Sequence, residues 1–222
     1  TGMDLFGLMG AKRTMVTPAD ALPGHPEPIF SVPDTHAVLG TSLRGPWAQG
    51  TEGIYLAMGC FWGAEEIYWR LPGVIATSVG YMGGFSPNPT YEEVCTGRTG
   101  HTETVHVVYE PSTITTLEIL RAFWEQHDPT QGYRQGNDVG TQYRSAIFWT
   151  TPAQRDLAER TAQAYGAVIA ERGYGSITTE ILPAADFTYF YAEDYHQQYL
   201  YKVPNGYRCH ANTGIALPAL AV

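Results

Sequence analysis

The chain has 222 residues, of which 44% are hydrophobic and 16% charged, and its formal net charge is −9. This length fits one large domain or two small ones and buries a core without disulfides. The 44% of hydrophobic residues is enough for such a core, so global disorder is excluded. The acidic balance argues against a nucleic-acid groove or an anionic membrane surface, because both call for a basic patch. No apolar run is long enough to span a membrane.

The chain divides into three predicted parts. Residues 1–52 contain Pro, Gly and His without sustained periodicity, which predicts an extended arm, packed on the domain or partly loose. The first two residues precede a Met and are interpreted as a remnant before the native start. A catalytic domain is expected over 53–203, followed by a coil-rich tail over 204–222.

Three widely spaced cysteines, an odd number, do not form a disulfide framework. No charged segment leads into an apolar stretch near the start, so no secretory signal is expected. We therefore predict a cytoplasmic protein with reduced thiols. Cys95 is expected to pack inside.

Hydrophobic periodicity predicts alternating strands and helices from Gly53 onwards. The predicted strands lie at 54–58, 74–79, 103–109, 144–149 and 177–182. Four helices are predicted. The first covers 60–71, and the second runs from a capping box at 115–118 to 128. The third runs from an N-cap at Thr151, with Gln154 completing a capping box, to before Gly173, and the fourth lies around 193–201. The first six elements follow the order β-α-β-β-α-β, so we expect an α+β fold, a two-layer sandwich with a ferredoxin-like split βαβ plait.

Cys60 lies where the first strand ends and a helix begins. Unpaired N–H groups and the helix dipole at that point stabilise a thiolate and lower the pKa of the thiol. Cys60 is therefore a candidate nucleophile, and a buried structural cysteine is the alternative. Phe61 and Trp62 follow it and belong either to the core or to the wall of an apolar substrate pocket.

Glu103 shares one face of its strand with Val105, Val107 and Tyr109, the face that a sheet would bury. Burial raises the pKa of a carboxyl group, which suits a general acid near neutral pH. A solvated glutamate at the rim of the sheet explains the same position equally well.

Two long loops, 81–91 and 135–143, are rich in Gly, Asn and Tyr. Such loops let a ligand approach the backbone closely, although turn chemistry explains the composition as well. Neither contains a nucleotide-binding motif. The His101–Glu103 segment fits the His-x-Glu of zinc deaminases, but no Pro-Cys-x-x-Cys follows. We expect neither a metal nor another cofactor.

Together, these segments resemble the A-type peptide methionine sulfoxide reductases, in that family's order. The similar segments are Gly59–Gly63, 81–91, 100–103, 135–138, 140–145 and 191–200. The resemblance covers about residues 54–210 and is consistent with the element order, because that family has a two-layer α+β fold.

The resemblance implies the roles of a first set of residues. Cys60 would attack the sulfur of a methionine S-sulfoxide and become a sulfenic acid. Glu103 would give a proton to the sulfoxide oxygen, Tyr91 and Tyr143 would hydrogen-bond to that oxygen, and Asp138 would belong to the same network.

The resemblance also implies a substrate pocket and a partner. Phe61 and Trp62 would hold the methyl group, and His196, Tyr199 and Tyr207 would complete the substrate-binding set. Cys209 would condense with the sulfenic acid to a disulfide, which thioredoxin or a similar thiol donor would reduce. The expected enzyme is a monomeric peptide-methionine (S)-S-oxide reductase that repairs oxidised proteins or free methionine sulfoxide and binds no nucleic acid.

The tail departs from the family in two ways. No cysteine follows Cys209, so a relay of three thiols is not expected, and Arg208 separates Tyr207 from Cys209, where some relatives have Tyr directly before the resolving cysteine.

Two other functions remain open from the residues alone. Cys60 paired with a histidine and an acid would serve a hydrolase or acyltransferase, and an aromatic pocket without chemistry would serve a binding module.

Overall fold

The structure, a computed structural model, describes residues 13–209 and 211–220. The expected remnant at the start lies outside the described residues. Within them, eight strands are found: β1 (Glu52–Ala57), β2 (Val74–Met82), β3 (Thr102–Tyr109), β4 (Arg134–Gln135), β5 (Asp138–Val139), β6 (Ala146–Trp149), β7 (Glu180–Pro183) and β8 (Phe190–Tyr191).

The described chain also forms α-helices and short 3-10 turns. The α-helices are α1 (Phe61–Trp69), α2 (Tyr91–Cys95), α3 (Thr116–Glu125), α4 (Pro152–Ala170) and α5 (Tyr199–Lys202). The 3-10 turns are Pro18–Asp20, Thr141–Tyr143, Ala184–Asp186 and Asp194–His196. None of the helices in the described ranges is both long and apolar enough to cross a membrane.

Six strands form one sheet in the order β7-β6-β1-β3-β2-β8. All neighbours pair antiparallel except β6 and β7, which are parallel. The inner order β6-β1-β3-β2 is that of the split βαβ arrangement, so the predicted fold is confirmed. The short β4–β5 hairpin lies in a region predicted to be loop.

The central strand β3 is buried along its whole length. On one face, Val105 and Val107 join the main core with α1, α3 and α4, as the alternation predicted. On the other face, Trp47 of the arm and Tyr189 pack around the ring of His106. The sheet is thus covered on both faces, because Trp47 of the arm packs against the face opposite the helices.

Hydrogen bonds fasten the arm at several points. Leu22 donates its N–H to the carbonyl of Arg98 at 2.9 Å. Farther along, the ring of His36 bonds to Thr77 at 2.7 Å. Of the two expectations for the arm, the packed one holds for its described residues. The boundaries at 52/53 and 203/204 remain predictions.

Several elements differ from the sequence expectations. Strand β2 runs on to Met82, since it pairs with β3 over its full length. Helix α2 begins inside the predicted loop, with a capping box between Thr90 and Glu93. The capping box at Thr115 is confirmed, but at Thr151 only one half forms, because the Gln154 side chain accepts the N–H of Thr150 instead.

The predicted helix around 193–201 is also interrupted. It consists of a 3-10 turn and the short α5, separated at Gln198, which has a φ of 49°. This left-handed conformation is unusual for a residue other than glycine. The break brings the ring of His196 and the ring of Tyr199 onto the same tryptophan of α1, Trp62.

Candidate active site

Cys60 is the N-cap residue of α1 and is half-buried. The preceding Gly59 has a φ of +94°, and a Cβ on it would lie 2.6 Å from the Gln135 side chain. A glycine is required here on both grounds, so the turn that presents Cys60 is set by the backbone.

Glu103 of strand β3 contacts the first residue of α1, next to this turn. Its Oε1 accepts the backbone N–H of Phe61 at 3.1 Å, and the residue is 2% exposed. Burial raises the pKa of Glu103 to about 8, and the nearby charge of Asp138 adds to the effect. The carboxyl group is therefore mainly protonated at neutral pH, in the direction that its strand face predicted.

The expected direction for the Cys60 thiol was wrong. Its pKa is raised well above the ordinary value, first by burial and then by the charge of Glu103, with smaller effects of Asp138 and Cys209. A hydrogen bond from the N–H of Trp62 does lower the pKa, as expected at a helix start. Burial outweighs that single donor, so the resting form is a thiol.

The hydroxyl groups of Tyr91 and Tyr143 lie near this pair. Burial raises the pKa of both phenols, and the charge of Glu103 raises both further. The charge of Cys60 also raises the pKa of Tyr91, whose side chain is hydrogen-bonded to that of Cys95. Both tyrosines therefore stay protonated and can donate hydrogen bonds beside Glu103.

Aromatic rings form the wall next to Cys60. The ring of Trp62 stacks on Tyr199, with centroids 3.9 Å apart, and Phe61 packs 5.2 Å from His196. Phe61 is 1% exposed and belongs to the core, whereas Trp62 is half-buried. Trp62 thus offers the accessible surface, whereas Phe61 packs in the core and contacts His196.

His196 fixes the orientation of that tryptophan. Its Nδ1 accepts a hydrogen bond from the indole Nε1 of Trp62 at 2.9 Å. Because an indole N–H only donates, the imidazole hydrogen is on Nε2. Burial lowers the pKa of His196 to about 4, so the ring is neutral. Nε2 has no hydrogen-bond partner within the part of the chain that the structure describes.

The C-terminal tail carries a second thiol that lies near Cys60. Cys60 and Cys209 are both free thiols and line one cavity of about 150 Å³. Sγ of Cys209 bonds to the carbonyl of Gln135 at 3.5 Å, and the Tyr207 hydroxyl donates to Oδ2 of Asp138 at 3.4 Å. Each residue that the sequence analysis selected thus shares a contact, a cavity or an electrostatic effect with at least one other selected residue.

Glu193 was given no role from the sequence. It accepts a hydrogen bond from the Tyr81 hydroxyl at 2.9 Å and one from the backbone N–H of Tyr91 at 2.8 Å. It thereby joins the His196 segment to α2 and places Tyr91. The signal that could have found it was its position in the 191–200 segment that resembles the family, three residues before His196.

Other cavities lie elsewhere. One of them, of about 630 Å³, is bounded by arm residues such as Phe30 and by Tyr191, and contains none of the selected residues. Among the described residues, no group of three or more His, Cys, Asp or Glu is placed to hold a metal ion.

Comparison with known proteins gives one consistent result. The sequence model of the family described as peptide methionine sulfoxide reductase matches residues 52–220. Peptide methionine sulfoxide reductase MsrA 1 of Synechocystis sp. is 53% identical over 216 residues, which cover 97% of this chain and 96% of that protein. The MsrA of Vibrio cholerae is 56% identical over 207 residues, covering 93% and 96%. The chain belongs to the A-type peptide methionine sulfoxide reductase family.

Two solved structures share the fold. Methionine sulfoxide reductase A of Corynebacterium diphtheriae superposes with a TM-score of 0.83 at 52% identity and covers 93% of this chain and 100% of that one. Mxr1 from Saccharomyces cerevisiae in reduced form gives 0.65 at 35% identity, covering 76% and 94%. The predicted family, α+β fold and enzyme class are confirmed: this A-type reductase is an oxidoreductase that acts on methionine sulfoxide.

Proposed function

We propose that the protein reduces methionine S-sulfoxide by attack of Cys60 on the sulfoxide sulfur, with Glu103 as the general acid. The observation that carries this is the hydrogen bond from the Phe61 N–H to Glu103, which fixes a protonated carboxyl group beside the thiol. A nucleophile and an acid held at one turn are what the reaction needs.

In the first step, Sγ of Cys60 bonds to the sulfoxide sulfur, and Glu103 gives its proton to the sulfoxide oxygen, which becomes a hydroxyl group on that sulfur. The proton lost by the Cys60 thiol returns to Glu103. The hydroxyl group then transfers to Sγ: the substrate S–O bond and the bond between the two sulfurs break, an Sγ–O bond forms, methionine leaves as the thioether, and Cys60 is left as a sulfenic acid. The sulfoxide sulfur is reduced by two electrons and Cys60 is oxidised by two.

Tyr91 and Tyr143 donate hydrogen bonds to the oxygen as it gains charge. Their raised pKa values keep both hydroxyls protonated in the presence of Glu103. Preorganised donors of this kind stabilise the transition state without reorganisation. Asp138, whose pKa is raised by burial, borders the same network through Tyr207.

The methyl group of the substrate contacts the face of Trp62, which Phe61, His196 and Tyr199 hold in place. The neutral imidazole and the stacked phenol fix the indole from two sides. An apolar wall beside the nucleophile orients the sulfoxide so that its sulfur faces Cys60.

In the second step, Cys209 attacks the sulfenic acid of Cys60 and a disulfide forms with loss of water. The shared cavity supports this pairing. A dithiol donor such as thioredoxin then reduces the disulfide. The substrates are free or protein-bound methionine sulfoxide. A monomer working in the reducing cytoplasm is part of the same proposal.

The experiment compares the two diastereomers of methionine sulfoxide as substrates for the wild type and for two cysteine variants. The S form should be reduced and the R form left unchanged. Cys60→Ser should abolish turnover, because a hydroxyl is a far weaker nucleophile than the thiol and cannot form a sulfenic acid. Cys95→Ser is the matched control and should keep turnover. Residual activity of Cys60→Ser above a few per cent would overturn the assignment.

A further inference from the structure

Arg208, the residue before Cys209, makes a two-pronged ion pair with helix α1. Its Nε donates to Oε1 of Glu66 at 2.9 Å and its Nη2 donates to Oε2 at 2.8 Å. Its Nη1 also donates to the backbone carbonyls of Pro204 at 2.8 Å and Gly206 at 3.3 Å. The guanidinium thus joins the helix to the tail and closes the tail on itself.

This ion pair is less exposed to solvent than the one between Arg70 and Glu66 on the same helix. The Glu66 side chain is 12% exposed and that of Arg208 26%. Arg70 also reaches Glu66, by one contact at 3.3 Å, but is 68% exposed. Bidentate arginine–carboxylate geometry is the strong kind of ion pair, whereas a single exposed contact is worth little.

Two other polar contacts that tie the segment around Cys209 to the β4–β5 hairpin are long. They are the 3.4 Å bond between Tyr207 and Asp138 and the 3.5 Å bond from Cys209 to the carbonyl of Gln135. Within the described residues, no helix or strand follows Lys202. The short charge-assisted bonds of Arg208 therefore tie the cysteine-bearing segment to α1 more closely than these two contacts tie it to the hairpin.

Both ends of the ion pair belong to the cavity that the two thiols share. Its lining includes Cys60, Glu66, Arg208 and Cys209. Glu66 is on the helix that starts immediately after Cys60, and Arg208 is adjacent to Cys209 in the chain. The ion pair thus spans the same gap that a disulfide between the thiols would span.

We propose that Arg208, held by Glu66, is a positioning residue for the disulfide-forming step. This rests on the proposed function, in which Cys209 resolves the oxidised Cys60. In that step Sγ of Cys209 attacks the sulfenic sulfur, the S–S bond forms, the S–O bond breaks, and the hydroxyl leaves as water with the thiol proton. Holding the tail against α1 raises the effective concentration of Cys209 at Cys60.

The role is specific to the second step. None of the groups proposed for the first step, Cys60, Glu103, Tyr91 and Tyr143, has a hydrogen bond to Arg208. Loss of the ion pair should therefore slow disulfide formation and leave the reduction of the sulfoxide unchanged. A residue needed only for folding would affect both steps together.

The test mixes the reduced full-length protein with methionine S-sulfoxide without any external reductant. Methionine release reports the first step, and mass spectrometry of acid-quenched, alkylated samples reports the Cys60–Cys209 disulfide. Arg208→Gln and Glu66→Gln should each slow disulfide formation by about fivefold or more, with methionine release unchanged. Arg208→Lys keeps the positive charge without the two-pronged geometry, so its rate of disulfide formation should lie between the rates of these variants and the wild-type rate.

Arg70→Gln is the matched control, because it removes the exposed contact to Glu66 and leaves the two-pronged one. Its disulfide should form at the wild-type rate. If Arg208→Gln and Arg208→Lys both form the disulfide as fast as the wild type, or slow methionine release equally, the positioning role is overturned. If the wild type releases methionine but forms no Cys60–Cys209 disulfide, the proposed second step itself is wrong.

Discussion

The backbone N–H of Phe61 donates to the Glu103 carboxyl at 3.1 Å, across the junction between α1 and the central strand β3. The residue after the nucleophile is therefore bonded to the acid. Any shift of the helix start relative to β3 changes the distance between thiol and acid. This bond favours the ionised carboxylate, but burial outweighs it and raises the pKa of Glu103 to about 8.

Glu103→Gln should slow the chemical step strongly while substrate binding changes little. The amide keeps the shape of the side chain but supplies no proton, and loss of a general acid costs about 10²- to 10⁴-fold. Single-turnover methionine release at neutral pH measures the effect. Glu92→Gln, an exposed residue of α2, is the control. A fall of less than about tenfold would transfer the acid role to Tyr91 or Tyr143.

The pH dependence of the same variant has a defined sign. The acid is protonated below its pKa of about 8, so the wild-type rate should fall as the pH rises above that value. Glu103→Gln should lose this alkaline fall. Because the charge of Glu103 raises the pKa of Cys60, the variant should also have a lower Cys60 pKa. Alkylation of Cys60 against pH, with the other cysteines replaced, measures it, and an unchanged thiol pKa would show that Glu103 does not act on Cys60.

Cys209→Ser should permit one turnover and then stop at the sulfenic acid when thioredoxin is the donor. The reason is that Cys209 shares the cavity with Cys60 and supplies the second thiol. A sulfenic-acid probe should label this variant strongly and the wild type weakly. Continued turnover with thioredoxin would mean that Cys95 or the donor itself resolves Cys60.

A buried carboxyl group on α1 should make stability depend on pH. Glu65 is fully buried, where it accepts hydrogen bonds from Thr77 and from the backbone and side chain of Gln198. Burial raises its pKa to about 7 against these bonds. These contacts hold the left-handed Gln198, and with it the segment that carries His196 and Tyr199.

Glu65→Gln tests that carboxyl group. Between pH 4.5 and about 7, Glu65 keeps its proton in the folded protein and has lost it in the unfolded chain. The stabilisation by the protonated carboxyl group is therefore fully present below this pH window and is lost as the pH rises through it. The free energy of unfolding of the variant should therefore rise relative to that of the wild type as the pH increases across this window, by up to about 1.4 kcal/mol per pH unit. Urea unfolding at several pH values measures it, with exposed Glu159→Gln as control. A constant difference would contradict the shifted pKa.

Local signals predicted much of this molecule. Periodicity located the main strands and long helices, and the carboxylate on an apolar strand face identified Glu103. The direction of the Cys60 pKa was wrong because desolvation depends on tertiary neighbours, which outweigh the local helix start. Likewise, nothing local marks Gln198 for a left-handed conformation, and the pairing of Arg208 with Glu66 exists only after the tail folds back onto α1.

The central claim is that Cys60 and Cys209 are oxidised together as one sulfoxide is reduced. It is tested most directly by counting free thiols, under denaturing conditions, before and after methionine S-sulfoxide is added to the reduced protein. The three thiols should fall to one as one methionine is released per chain, and Cys60→Ser should lose none. Methionine release without loss of two thiols, or no methionine release at all, would contradict the account.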